Sequence, residues 1–112
     1  MTSRSWDEML QLYDKLIATS DKFERKGKTM PYTSVNGHMY SQLNKAGQLG
    51  IRLSVASGAE FVKKYGASTF TSYGAVMKEY VCIPDSLLDE PEVLRVYLEE
   101  AHHYAMSLKP KK

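Results

Sequence analysis

An α+β domain, with an antiparallel sheet and helices packed on one of its faces, is the fold class that this sequence predicts. Three observations carry it: apolar residues recur at helical spacing near both ends, the middle alternates with period two, and Asn36-Gly37 marks a tight turn between two alternating runs. The 112 residues are one domain's worth of chain, so residues 1–112 are read as a single unit.

Residues 5–25 place Trp6, Met9, Leu10, Tyr13, Leu16, Ile17 and Phe23 on one helical stripe. Ser5, with Glu8 three residues later, reads as a capping box, while Gly27 and Pro31 mark the exit. An extended piece at residues 32–35 leads into the Asn36-Gly37 turn. Residues 38–44 then alternate Met39, Ser41 and Leu43 against His38, Tyr40, Gln42 and Asn44. After a second turn, residues 48–55 alternate Leu49, Ile51, Leu53 and Val55 against Gln48, Gly50, Arg52 and Ser54. Alternation of this kind marks half-buried antiparallel strands.

A short helix follows, with Ser57 as the expected cap and Gly66 as its close. Phe70, Tyr73 and Gly74 are read as a loop whose aromatics lid the core. Residues 76–83 form a further strand, Met77, Val81 and Ile83 facing one way and Lys78, Tyr80 and Cys82 the other. Glu79 shares the parity of the apolar set, which points to an edge, a bulge or a shifted register. Pro84 to Leu88 make a first turn, and a last helix starts at Pro91 with Asp89 as cap and Leu94, Tyr97, Leu98, Ala101, Ala105 and Leu108 as its stripe.

Bulk properties narrow the classes of function. Fifteen Lys and Arg against 13 Asp and Glu give a formal charge of +2, which neither demands nor excludes a polyanionic partner, although a dedicated nucleic-acid domain usually shows a clearer excess or a concentrated patch. Positive charge concentrates only at Lys22, Arg25, Lys26 and Lys28, and at Lys109, Lys111 and Lys112. Cys82 is the sole cysteine, so no intrachain disulfide forms and a cytoplasmic location is expected. No apolar run has the length of a membrane span, and the opening residues do not resemble a signal peptide.

The stretches "NGHMYSQLNKAGQLGIRL", "FVKKYG" and "MKEYVCIPDSLLDEPEVLRVYLEEAHHYAMSLKP" resemble the N-terminal domain of the bacterial competence regulator TfoX. Matching positions are Gly37, Met39, Leu49, Arg52, Leu53, Phe61, Met77, Tyr80, Pro84, Leu87 and Leu88, within a family-like region of about residues 30–108 preceded by the N-terminal helix. The glycine-rich lead-in common in that family is replaced by "MPYTSV". The resemblance implies the same α+β fold and a regulatory or interaction role, and brings no catalytic residue set.

Chemically suggestive motifs are sparse. "GKT" at residues 27–29 lacks the preceding glycine of a phosphate loop, because position 22 is Lys. Glu99 and His102 share a helix face, and Cys82, His38 and either His102 or His103 are the residues from which a zinc set could be drawn, yet no short paired spacing supports one. Neither a metal nor a cofactor is therefore expected. The expected site is the sheet face left open by the helices: His38, Tyr40, Gln42, Arg52, Lys78, Tyr80 and Cys82. Rings and cations together suit a protein interface, including a homodimer or an unidentified protein partner. Two alternatives stand beside this reading: weak single-stranded nucleic-acid binding by the same face with the Lys22 to Lys28 cluster, and a thiol- or metal-dependent enzyme centred on Cys82.

Overall fold

The structure, a computed structural model, describes residues 5–27, 30–72 and 74–110, except for the side chain of Lys78. Lys28, Thr29, Tyr73, Lys111 and Lys112 therefore lie outside the described residues.

Helix α1 spans Trp6–Ile17. Its start is the expected capping box, Glu8 N donating to Ser5 Oγ at 3.1 Å and Ser5 N to Glu8 Oε1 at 2.9 Å. The helix stops well short of Arg25, because local side-chain bonds compete with the helical ladder. Thr19 Oγ1 donates to Leu16 O at 2.6 Å, and Ser20 Oγ accepts from Lys22 N at 3.2 Å. Phe23 still enters the core, from the loop beyond the helix.

Strand β1 (Tyr32–Val35) and strand β2 (His38–Leu43) are joined by Asn36 and Gly37, whose φ values of +59° and +80° suit a two-residue hairpin turn. Strand β3 is Leu49–Arg52, shorter than the alternation suggests. Ser54 Oγ accepts from Ser57 N at 3.3 Å, so Ser54 rather than Ser57 caps helix α2 (Val55–Tyr65). Gly66 closes α2 in the left-handed conformation, as expected. Strand β4 (Thr69–Ser72) replaces the anticipated loop and pairs with β5 (Ala75–Cys82). A 3₁₀ turn at Asp85–Leu87 leads to α3 (Pro91–Ser107), whose cap position is Glu90 rather than Asp89. Leu94, Leu98, Ala101 and Ala105 are its buried stripe.

The five strands run in the order β1-β2-β3-β5-β4, with every pairing antiparallel. Paired residues point to the same side of a sheet, so the register defines the two faces. Thr33, Ser41, Ile51 and Val81 form one row. The helices lie on that side: Tyr13 of α1 bonds through its hydroxyl to Ser41 Oγ at 2.6 Å, and Gly58 of α2 stands against Val81. Ser41 Oγ also bonds to Thr33 Oγ1, and burial pushes the Tyr13 hydroxyl far above its ordinary pKa.

The opposite row is Gln42, Gly50 and Cys82. Here the structure corrects the expectation of an open sheet face. Phe70 of β4 is fully buried, and its ring lies 2.6 Å from where a Cβ on Gly50 would stand. The ring also stacks on Tyr80 with centroids 5.9 Å apart. Asn44 Nδ2 donates to Thr71 O at 2.7 Å, drawing the end of β4 against the β2–β3 turn. The sheet thus curls over its own outer face, and Gln42 is fully buried there.

A second correction concerns His38 and Tyr40. Thr33 pairs with Ser41 but Ser34 with Met39, which leaves Tyr40 as an extra residue in β2. Such a bulge reverses side-chain parity on its far side. Tyr40 consequently turns toward the helices, 1% exposed, with its ring centroid 5.4 Å from that of His102 on α3 and 6.4 Å from that of Phe23. His38 follows it, its Nε2 hydrogen-bonding Lys109 O at 2.7 Å.

Candidate functional site

The seven residues expected on one face are distributed over several surroundings. Tyr40 and Gln42 are buried on opposite sides of the sheet, and His38 meets the chain after α3. Tyr80 lies against Phe70 and donates through its hydroxyl to Met39 O at 2.7 Å, reaching across β3 to the bulged strand. Cys82 is half-buried, and burial raises its thiol pKa, opposed by a bond with Ser68. That direction is the reverse of nucleophile activation. His38 lies four positions from Gln42, the residue in line with Cys82, or about 13 Å along the strand. A thiol–imidazole pair is therefore out of reach. The Lys78 side chain lies outside the described residues.

Arg52 belongs to a different cluster. Its Nε and Nη2 both donate to Glu79 Oε1, at 3.1 and 2.7 Å, while Tyr104 of α3 donates its hydroxyl to Glu79 Oε2 at 2.7 Å. The guanidinium also rests 5.5 Å from the centroid of the Tyr104 ring. Glu79 itself has φ +70°, a left-handed conformation that costs a non-glycine residue energy and persists only where surroundings impose it. This accounts for its discordant parity in the sequence: β5 departs from regular geometry at Glu79, and its pairing with β4 jumps between Val81 and Val76.

Burial acts to raise the Glu79 pKa, but the bonds from Tyr104 and Arg52 outweigh it and hold the carboxyl below its ordinary range. A depressed folded-state pKa means that the contribution to stability is full above the unfolded value of about 4.3 and is lost as pH falls through the folded value. The stability difference between wild type and Glu79→Gln, measured by urea denaturation, should therefore shrink as the pH is lowered through the acid range. A difference independent of pH would show that the carboxylate charge contributes nothing there.

The basic cluster is also dispersed. Lys22 Nζ pairs with Glu99 at 3.7 Å, Arg25 Nε with Asp14 at 2.8 Å, and Lys26 Nζ donates to Ser34 Oγ at 3.0 Å, with Lys28 outside the described residues. Glu99 is further engaged by Arg95 at 3.6 Å, and His102 packs edge-on against Tyr40. Among the described residues no group of three or more His, Cys, Asp or Glu gathers at a spacing that could hold a metal ion. No described helix is long and apolar enough to cross a membrane.

What the fold exposes instead is an apolar groove between α2 and β5, with a volume of about 750 Å³. Val55, Gly58, Ala59 and Val62 form its α2 wall, and Glu79, Tyr80 and Val81 line it from β5. Val55 is 75% exposed and Val62 42%, both on the groove side of a helix whose buried face is at Phe61. Sequence reading missed this surface because it assigned Val55 to the end of β3. The available signal was the spacing of Val55, Gly58, Ala59 and Val62 at i, i+3, i+4 and i+7, a stripe angularly separate from Phe61. No family model matches the chain, and no curated protein or solved structure matches it either.

Proposed function

We propose that the chain is a protein-interaction module whose contact surface is the groove between α2 and β5. One observation carries this reading: two exposed valines stand on the wall of the same apolar groove, on a helix whose other side is already packed. Exposed apolar surface concentrated at one concavity is costly to leave in water unless something covers it. A regulatory role like that of the TfoX N-terminal domain is part of the same proposal. It is supported by the order of β2, β3, α2, β5, Pro84, Leu87-Leu88 and α3, which follows the order of the resembling motifs.

The nucleic-acid alternative draws less support, since Arg52, Lys22 and Arg25 are each paired with a carboxylate and Tyr40 is buried. The enzyme alternative has a half-buried thiol with a raised pKa and no base beside it in the described strands. Selection from a random peptide library against the immobilised chain tests the docking reading. Enriched apolar peptides should lose at least tenfold in affinity against Val62→Glu, an exposed substitution that leaves the fold intact. Enrichment indifferent to that change, or no enrichment together with no self-association, would remove the reading.

A further inference from the structure

We propose that the hollow between the β2–β3 turn and the end of β4 binds a small carboxylate, at a place that shares no lining residue with the α2 groove. Its volume is about 330 Å³, near the lower end of the range for small-molecule sites. Two strand ends build it. Asn44, where β2 leaves the sheet, is 5% exposed and engaged at both ends of its amide: Nδ2 donates to Thr71 O at 2.7 Å and to Gln48 Oε1 at 3.1 Å, while Oδ1 accepts from Gln48 N at 2.9 Å. These bonds hold β4 against the turn without help from a ligand.

Ser72 stands otherwise. It is also 5% exposed, but its Oγ is buried with no hydrogen-bond partner. Along β4, Thr69 and Thr71 are exposed and Phe70 and Ser72 buried, so the Ser72 side chain leaves the strand on the Phe70 side, where it forms part of the wall of the hollow. A buried hydroxyl left unsatisfied is costly, and native proteins normally supply it a partner. Rotation about the Cα–Cβ bond between staggered positions lets Oγ follow an acceptor that enters. The chemistry of that acceptor follows from the neighbours. Lys45, exposed on the turn, is the only charged residue among the described lining residues, and no carboxylate lies with it. One ammonium and a serine hydroxyl match the charge and lone pairs of a monoanion. Met30 and Ala46 add apolar surface, which suits a short hydrocarbon tail better than a phosphate dianion.

Titration of the ¹⁵N-labelled chain with acetate, butyrate and inorganic phosphate, each against sodium chloride at matched ionic strength, tests the assignment. Butyrate should shift the Lys45, Ala46, Ser72 and Gly74 amides saturably, with a Kd of about 1–10 mM. It should bind more tightly than acetate by about fourfold for each CH₂ that Met30 and Ala46 cover. Ser72→Ala should leave the thermal midpoint of the free chain unchanged or raised, since it removes a hydroxyl the chain does not itself satisfy, and should weaken butyrate by about fivefold or more. Lys45→Gln should weaken it by about threefold, and Lys63→Gln on α2 not at all. Shifts no larger than those from chloride mean that water alone meets the hydroxyl, and shifts from phosphate alone mean a different anion. A lowered midpoint in Ser72→Ala with butyrate binding unchanged means that the hydroxyl serves only the fold. Each of these results, or butyrate no tighter than acetate, overturns the inference.

Discussion

Truncating Phe70 to alanine is expected to destabilise the fold by about 3–5 kcal/mol, the cost of removing a buried aromatic ring. Phe70 is fully buried although it belongs to a short edge strand, and what it buries against is unusual. Gly50 has no side chain, and the ring occupies the space where one would be, 2.6 Å from the position of a Cβ. Removing the ring therefore leaves a cavity over bare backbone and exposes the row of Gln42, Gly50 and Cys82. The reverse change supports the same geometry. Gly50→Ala should also destabilise, because the new methyl group collides with the ring, and it should cost much less once Phe70 is already alanine. Urea denaturation of the two single variants and the double variant measures this coupling; strictly additive effects would mean that ring and glycine do not touch.

The second large effect is expected at Tyr40. On simple alternation Tyr40 is a solvent-facing residue, whose replacement by alanine would change stability by no more than about 0.5 kcal/mol. The bulge places it instead between Phe23 and His102, so Tyr40→Ala should cost about 3–5 kcal/mol. The variant removes a ring on which α3 and the loop after α1 both rest. A thermal midpoint within a degree or two of the wild type would show that the ring is not in the core.

Both effects mark where the sequence stops being readable. Strong local signals transferred well: the Ser5 and Glu8 capping box, the Asn36-Gly37 hairpin, Gly66 at the end of α2, and the Leu94, Leu98, Ala101 and Ala105 part of the α3 stripe stand as read, while Leu108 falls just beyond the helix. Each depends on residues within one or two turns of chain. The faces of the sheet depend on register across strands, and a single extra residue at Tyr40 altered the side assigned to His38 and Tyr40. Parity gave no warning there, because Tyr40 alternates in sequence as a regular strand residue does. At Glu79 the parity conflict was visible in the sequence, and it marked a real departure from regular strand geometry.

β4 was missed for a related reason. Four residues, Thr69–Ser72, are too few for a periodic pattern, and the strand exists because β5 pairs with it and Gly50 admits Phe70. Without β4 the outer face looked open, and the expected site followed from that. The apolar groove was hidden by one boundary: with Ser57 taken as the cap, Val55 counted as a strand residue and the α2 stripe lost its first member. The cap at Ser54, three residues earlier, makes Val55 the opening residue of a helix and exposes it.

The claim on which this account turns is that side chains of the outer sheet row are covered while the valines of α2 are bare. Solvent paramagnetic relaxation, with a neutral gadolinium chelate added to the labelled protein, reads both at once. Val55 and Val62 methyl signals should broaden steeply with added chelate, and the Gln42 side-chain amide and the Tyr40 and Phe70 rings should be nearly unaffected. Gln42 and Phe70 relaxing as fast as Val55 would contradict it, and would restore the open sheet face as the surface to which a partner binds.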